Sequence, residues 1–212
     1  MFDLTACRKV GDQYSLSGQH AKAIECYRQV IEHYPKDKEA FFAIADNLTA
    51  LNCWDESLEY YQKAIKCDPT FYRAIGYLGV AFHELAHFSK AIDCYNRALA
   101  LRPNNADLLF NKGLVLYELD RFAESLDCYD KIIENNKKDA RTFLKPKEIS
   151  FSRGLTLAGL QRFNEAIESY DQSMKLEPED PSAFSHKGLA LYELKRFDEA
   201  IVCYDQALAI DP

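Results

Sequence analysis

The residues that most suggest catalysis are His83, Glu84 and His87, which form a His-Glu-x-x-His pattern. In zinc hydrolases two such histidines bind the metal from one helical face, and the glutamate acts as a general base. Here Glu84 recurs as Glu118 and Glu193 without neighbouring histidines, so the pattern follows an internal repetition of the chain. His87 falls in a predicted turn, and no third ligand is evident. We therefore predict no metal site.

The seven cysteines are the next candidates for chemistry, as metal ligands, disulfides or nucleophiles. They contain no Cys-x-x-Cys pair, which argues against a structural metal. Four of them share one place in a 34-residue period: Cys26, Cys94, Cys128 and Cys203. Equivalent helices of such a period are separated by another helix, whereas disulfide Cα atoms must lie within about 7 Å. The odd number predicts reduced thiols and a cytoplasmic protein.

Other catalytic patterns are missing from the sequence. It has no glycine-rich phosphate loop and no nucleophile elbow. Its recurring glutamates, such as Glu56 and Glu124, are expected at helix starts, where they favour the helix dipole. Asn47 begins a glycosylation sequon, but it lies inside a predicted helix. We predict no catalytic residue, no cofactor and no enzymatic activity.

Composition excludes further classes of function. The 212 residues contain 26 basic and 33 acidic side chains, a net charge of −7, which is unfavourable for nucleic-acid binding. The chain has no run of 18 apolar residues that could span a membrane, and its first ten residues lack the apolar core of a secretory signal. An apolar content of 48% is ample for a folded core.

Tyrosine and proline spacing shows what organises the chain. Four tyrosines from Tyr27 to Tyr129 are 34 residues apart, Tyr170 follows after 41, and Tyr204 after 34. Prolines repeat the same interval and occupy position 32 in five of the six periods, where they end the second helix. The spacing predicts six helix-turn-helix repeats with one insertion: 4–37, 38–71, 72–105, 106–139, insertion 140–146, 147–180 and 181–212.

Small residues recur at two more positions of the period. Position 8 is glycine in five repeats, although glycine in a helix costs roughly 1 kcal/mol relative to alanine. Position 20 is alanine or serine in all six. We expect positions 8 and 20 to form the close contact between the two helices of a pair.

This combination of period, small residues, aromatic residues and proline resembles the tetratricopeptide repeat (TPR). The resemblance covers nearly the whole chain, with departures at Lys137 in place of proline and at Lys112, Arg153 and Lys187 in place of leucine at position 7. It implies an all-α right-handed solenoid of about twelve helices, forming a single domain over residues 1–212. It also implies that the first helix of each pair lines a concave groove.

The resemblance to the TPR family implies that positions 2, 5, 6, 9, 12 and 13 of each repeat face this groove. They place the following partner-binding candidates there: Arg8, Asp12, Phe42, Asp46, Arg73, Tyr77, Phe110, Asn111, Leu114, Tyr117, Phe151, Leu155 and His186. Aromatic residues in a concavity are frequent anchors for a bound peptide. The alternative is that several of them are buried between adjacent helices.

The predicted function is a non-catalytic scaffold that binds a peptide segment of a partner protein in the groove. The groove residues match neither the carboxylate clamp for chaperone tails nor a repeated asparagine ladder. The alternative is a targeting domain of a larger enzyme, of glycosyltransferase or phosphatase type, with its catalytic part beyond residue 212. Fold alone does not choose between such partners.

Two irregular places carry further expectations. Repeat four lacks its proline, so its second helix is expected either to run on or to give way to a longer loop over 140–146. Within the insertion, Phe143 and Leu144 are predicted to cover a neighbouring edge or to contact a partner. The last repeat is expected to expose Ile201, Tyr204 and Leu208, which predicts a fragment of a longer chain or self-association through this end.

Overall fold

A computed structural model describes residues 4–138 and 146–211 of the chain. Over these residues it contains twelve α-helices and no strand, which confirms the all-α prediction. The helices are α1 Leu4–Leu16, α2 His20–His33, α3 Lys38–Ala50, α4 Trp54–Cys67, α5 Tyr72–Glu84, α6 Phe88–Leu101, α7 Ala106–Glu118, α8 Phe122–Lys138, α9 Pro146–Gly159, α10 Phe163–Leu176, α11 Pro181–Glu193 and α12 Phe197–Ile210.

The helices belong to two compact units, called unit 1 (Met1–Pro103) and unit 2 (Asn104–Pro212). Within each unit every helix packs against the next one in the chain, from α1 to α6 and from α7 to α12. Short turns join the two helices of each pair, which makes them antiparallel neighbours. The six repeat boundaries and the assignment of all 212 residues to one domain stay predictions.

Proline sets the length of the second helix of a pair. Helices α2, α4, α6 and α10 each end two residues before a proline, and each is 14 residues long. Helix α8 has no such proline and continues for 17 residues to Lys138, as one of the two alternatives predicts. Phe143 and Leu144 lie outside the described residues.

The glycines at position 8 are explained by the repeated tyrosine. A Cβ added to Gly79 would lie 2.8 Å from the ring of Tyr95, and one added to Gly154 would lie 2.5 Å from the ring of Tyr170. The expected contact with position 20 also exists, because the Ser125 hydroxyl donates to the carbonyl oxygen of Gly113 at 2.8 Å. The steric reason for glycine is nevertheless the tyrosine ring, which sequence analysis did not identify as the neighbour.

Each first helix is followed by a residue in the left-handed conformation, at position 15 of the repeat. In α5, Ala86 has φ 56°, its N–H donates to the carbonyl of His83, and the N–H of His87 donates to the carbonyl of Phe82. These two bonds form a Schellman motif. The equivalent residues with positive φ are Gly18, Asn52, Asp120, Gln161 and Lys195. Only the first repeat places glycine where glycine is least strained.

The twelve described helices differ from membrane-spanning helices. None of α1 to α12 combines the length and the apolar character that crossing a bilayer requires.

Candidate functional site

In unit 1, a cavity of about 350 Å³ opens between the first helices of the three pairs. Its lining includes five of the predicted groove residues: Arg8, Asp12, Phe42, Asp46 and Arg73. They come from α1, α3 and α5, so residues 65 positions apart in sequence share one surface. The repeat period causes this convergence, because equivalent positions of successive first helices point the same way.

The charged groups of the cavity are partly compensated. Arg8 forms an ion pair with Asp37, whose carboxylate also caps the N-terminus of α3 by accepting from the backbone N–H groups of Glu39 and Ala40. Asp12 accepts a hydrogen bond from the hydroxyl of Tyr27. Burial is the main cause that raises the pKa of Tyr27, and the bond to Asp12 adds to it. Tyr27 is therefore a neutral donor at physiological pH.

Asp46 is a carboxylate of the cavity that burial removes from water. Burial raises its pKa above the usual carboxyl value, and the interactions with Arg73 and His20 only partly oppose this. Next to Asp46, Asn47 is 2% exposed, and its Oδ1 lies 2.9 Å from Nδ1 of His20. The floor of the cavity therefore carries a desolvated carboxylate beside a fixed amide.

An aromatic cluster borders the cavity. Phe42 is only 6% exposed, and its ring lies 5.8 Å from that of Tyr61 and 5.4 Å from that of Tyr77. The guanidinium of Arg73 lies 4.7 Å from the centre of the Phe42 ring. Tyr77 itself is 42% exposed. Phe42 thus supports the surface from below, and Tyr77 presents the accessible ring.

In unit 2, a similar cluster contains Phe151, Tyr170 and His186. The rings of Phe151 and His186 lie 5.3 Å apart in an edge-on arrangement, and Phe151 lies 5.8 Å from Tyr170. His186 Nδ1 donates to the carbonyl oxygen of Ser182 at 2.7 Å, which orients the imidazole. Phe151 and Leu155 also pack against the core of this unit.

The remaining predicted residues of unit 2 are half-buried. Phe110 lies 5.8 Å from the ring of Tyr129, and Tyr117 lies 5.5 Å from that of Phe122. Asn111 and Leu114 are also half-buried. Part of each of these side chains is therefore buried in contacts between helices, and only the rest is accessible on the predicted groove.

The residues that suggested catalysis occupy structural positions. His83 lies in the last turn of α5 with its ring 5.9 Å from that of Phe88, whereas His87 lies in the turn after α5 with its ring 6.1 Å from that of Phe82. Among residues 4–138 and 146–211, no group of three or more His, Cys, Asp or Glu side chains is arranged to hold a metal.

All seven cysteines are free thiols. Of the four cysteines that share one place in the period, Cys94, Cys128 and Cys203 are buried and Cys26 is half-buried. Burial raises the pKa of Cys94 to about 11, so this residue is a thiol rather than a nucleophilic thiolate at neutral pH.

The predicted apolar face of α12 is accessible at two of its three residues. Ile201 and Leu208 are exposed, and Tyr204 is half-buried. Self-association through this face stays a prediction.

Comparison with known families agrees with this arrangement. Three models described as tetratricopeptide repeat match residues 16–70, 78–144 and 181–212, and a fourth model, described as TPR repeat, matches 154–195. The chain belongs to the tetratricopeptide repeat family. No curated protein is significantly similar to this TPR protein in sequence.

Solved structures show the same fold. YrrB, a TPR protein with an unusual peptide-binding site, has 24% identity over 89% of this chain and 94% of its own, with a TM-score of 0.76. MamA from Desulfovibrio magneticus has 19% identity over 82% of this chain and 96% of its own, with a TM-score of 0.74. A tetratricopeptide repeat protein from Parabacteroides merdae has 14% identity over 99% of this chain and 80% of its own, with a TM-score of 0.80. At these identities the likeness shows the fold alone.

Sequence analysis missed one recurring contact of this TPR protein. In unit 2, an arginine just before each second helix binds the glutamate at position 19 through two hydrogen bonds, as Arg162 does to Glu165 at 2.7 and 2.6 Å. The same pairing joins Arg121 to Glu124 and Arg196 to Glu199. The recurring Arg-Phe-x-Glu sequence was the available signal, and it identifies these glutamates as structural.

Proposed function

We propose that this TPR protein is a non-catalytic interaction scaffold that binds a peptide segment of a partner protein on the inner surface of its first helices. In unit 1 this surface is formed by α1, α3 and α5, and in unit 2 by α7, α9 and α11. The free state of all seven cysteines supports action in a reducing compartment such as the cytoplasm.

The observation that carries the proposal is the cavity of unit 1. Its volume of about 350 Å³ falls within the range of sites that hold a ligand group. Its lining combines Arg73, Asp46 and Asn47 with the aromatic wall of Phe42. Such a mixture can fix a peptide by hydrogen bonds, while the exposed ring of Tyr77 beside Phe42 supplies contact area.

Tyr77 is the predicted anchor because it is both accessible and supported. It contacts Phe42 at 5.4 Å and stacks on Tyr61 at 6.2 Å, and both of these side chains are buried. A ring held in this way loses little conformational freedom when it binds. Accessible aromatic residues with rigid support are typical of binding hot spots.

The described binding site of YrrB supports the same class of function. That protein shares the fold over 89% of this chain and is described as having a peptide-binding site. We therefore expect a peptide, rather than a small metabolite, on the inner surface of this chain.

Peptide display tests the proposal. A random library of twelve-residue peptides is selected on the 212-residue protein, and enriched peptides are measured by calorimetric titration. Tyr77→Ala and Arg73→Ala should each weaken binding at least tenfold, because both side chains lie on the exposed rim of the inner surface. Tyr34→Ala is the matched control, since Tyr34 is 44% exposed but lies at the end of α2, outside the cavity.

Two outcomes would contradict the proposal. One is that selected peptides bind the two rim variants as tightly as the unchanged protein. The other is that Tyr34→Ala weakens binding as much as Tyr77→Ala, because the effect would then follow exposed tyrosine rather than position.

A further inference from the structure

A second cavity of unit 1 lies between α4 and α6, with α5 beneath it, and has a volume of about 430 Å³. We call it the α4–α6 groove. Its floor is apolar and includes Ile65, Leu78 and Phe82. Phe82 lies five residues after Tyr77, which places the two side chains on different faces of α5. The groove is therefore separate from the inner surface proposed above.

The rim of the α4–α6 groove is basic. Lys66, Lys90 and Arg97 line it and are exposed, and Asp93 is the one acidic residue of the lining. Lys90 lies over the ring of Phe82, with its Nζ 5.3 Å from the ring centre. A local excess of positive charge thus surrounds an apolar floor in a protein whose net charge is −7.

The repeat itself does not require these cations. At the equivalent positions of unit 2, Lys66 is replaced by Glu134, Lys90 by Glu165 and Arg97 by Gln172. Position 19, which holds Lys90, is glutamate in four of the six repeats. Helices form with either charge at these positions. Helix packing therefore does not require basic residues on this rim.

We propose that the α4–α6 groove binds an acidic segment of a partner protein, with one large apolar side chain on Leu78 and Phe82 and flanking carboxylates paired with Lys66, Lys90 and Arg97. Charge complementarity selects the acidic residues, and the apolar floor selects the side chain between them. A cavity of this size has room for a leucine or phenylalanine side chain. The apolar floor favours a peptide over a nucleic acid, whose backbone offers no such group.

The probe is a fluorescein-labelled peptide with a central leucine and three glutamates on each side, and its anisotropy is followed during titration with the 212-residue protein. Lys90→Glu combined with Arg97→Gln installs the residues that unit 2 carries at these positions. This double variant should weaken binding at least tenfold. Lys22→Glu is the matched control, because Lys22 occupies position 19 of repeat one outside the groove; it should change binding less than twofold.

The floor is tested with a second peptide in which alanine replaces the central leucine; it should bind at least fivefold more weakly. Tyr77→Ala should leave binding of both probes unchanged, which separates this groove from the inner surface. The proposal is overturned if the leucine peptide does not bind, if the double variant binds it normally, or if both peptides bind equally. Displacement of the leucine peptide by an equal concentration of oligothymidylate would also overturn it.

Discussion

The aromatic clusters of unit 1 and unit 2 use the same three positions of the repeat. Phe42 and Phe151 are equivalent, as are Tyr61 and Tyr170. Both tyrosines are almost fully buried, and both phenylalanines lie 5.8 Å from their tyrosine. The third member is the exposed Tyr77 in unit 1 and the half-buried His186 in unit 2. Packing requires the buried residues, whereas the accessible position is free to differ.

The inner surface differs in the same way at position 9. Unit 1 has Asp12, Asp46 and Val80 there, and both aspartates line a cavity, whereas unit 2 has Leu114, Leu155 and Leu189. Leu114 and Leu155 are half-buried and need no polar partner, whereas Asp46 is desolvated without full compensation. The comparison teaches that unit 1 carries a desolvated carboxylate, Asp46, at a position where unit 2 has only leucine.

The largest expected effect concerns the contact between position 8 and the tyrosine. Gly154→Ala should destabilise the protein by about 1–3 kcal/mol, because the buried ring of Tyr170 must move to admit a Cβ. Unit 1 already carries Ala45 at this position, so Ala45→Gly should instead lose about 1 kcal/mol through helix propensity. Urea unfolding followed by circular dichroism measures both. A more stable Gly154→Ala variant would show that the two units do not share this constraint.

A smaller effect is expected at Asp46. Because burial raises its pKa in the folded protein, folding becomes less favourable as pH rises through the window between the unfolded and folded pKa values. Asp46→Asn should therefore raise Tm at pH 7 by about 2 °C, which in a chain of this size corresponds to roughly 1 kcal/mol.

Scanning calorimetry checks the Asp46→Asn prediction and should give a smaller gain at pH 4 than at pH 7. Asp205→Asn, at an exposed position of α12, is the control and should change Tm little. A lower Tm for Asp46→Asn at pH 7 would mean that unit 1 does not give up stability at its candidate site.

The smallest effect is expected at the left-handed residue of position 15. Ala86→Gly in unit 1 should stabilise by about 0.5–1 kcal/mol, because a side chain other than Asn or Asp is strained at φ 56°. Asp120→Gly in unit 2 has the same φ but should gain less, since aspartate tolerates this conformation. Chemical unfolding of the two variants compares them directly. Equal gains would show that the residue type makes no difference at this turn.

Much of the fold followed from the spacing of particular residues. The spacing of the tyrosines from Tyr27 to Tyr204 indicated the period of the repeat. The prolines indicated where the second helices end, because proline interrupts a helix within its own repeat. The close approach of the partner helix at position 8 was expected from its glycines, but the tyrosine ring that a Cβ would meet was not, since that contact depends on the crossing of two helices. The burial of Phe42 was likewise open, because position 5 lies at the edge between groove and helix contact.

By itself the sequence determined the repeat, the all-α class and the residues that recur on each helical face, because periodic spacing and local conformational preferences are properties of the chain. Only the tertiary structure decided which of those residues meet. It joined Arg8 to Asp37, set Arg73 over Phe42, and gathered Lys66, Lys90 and Arg97 around one apolar floor. The distance and solvation of such groups depend on how neighbouring helices pack, and no single repeat contains that information.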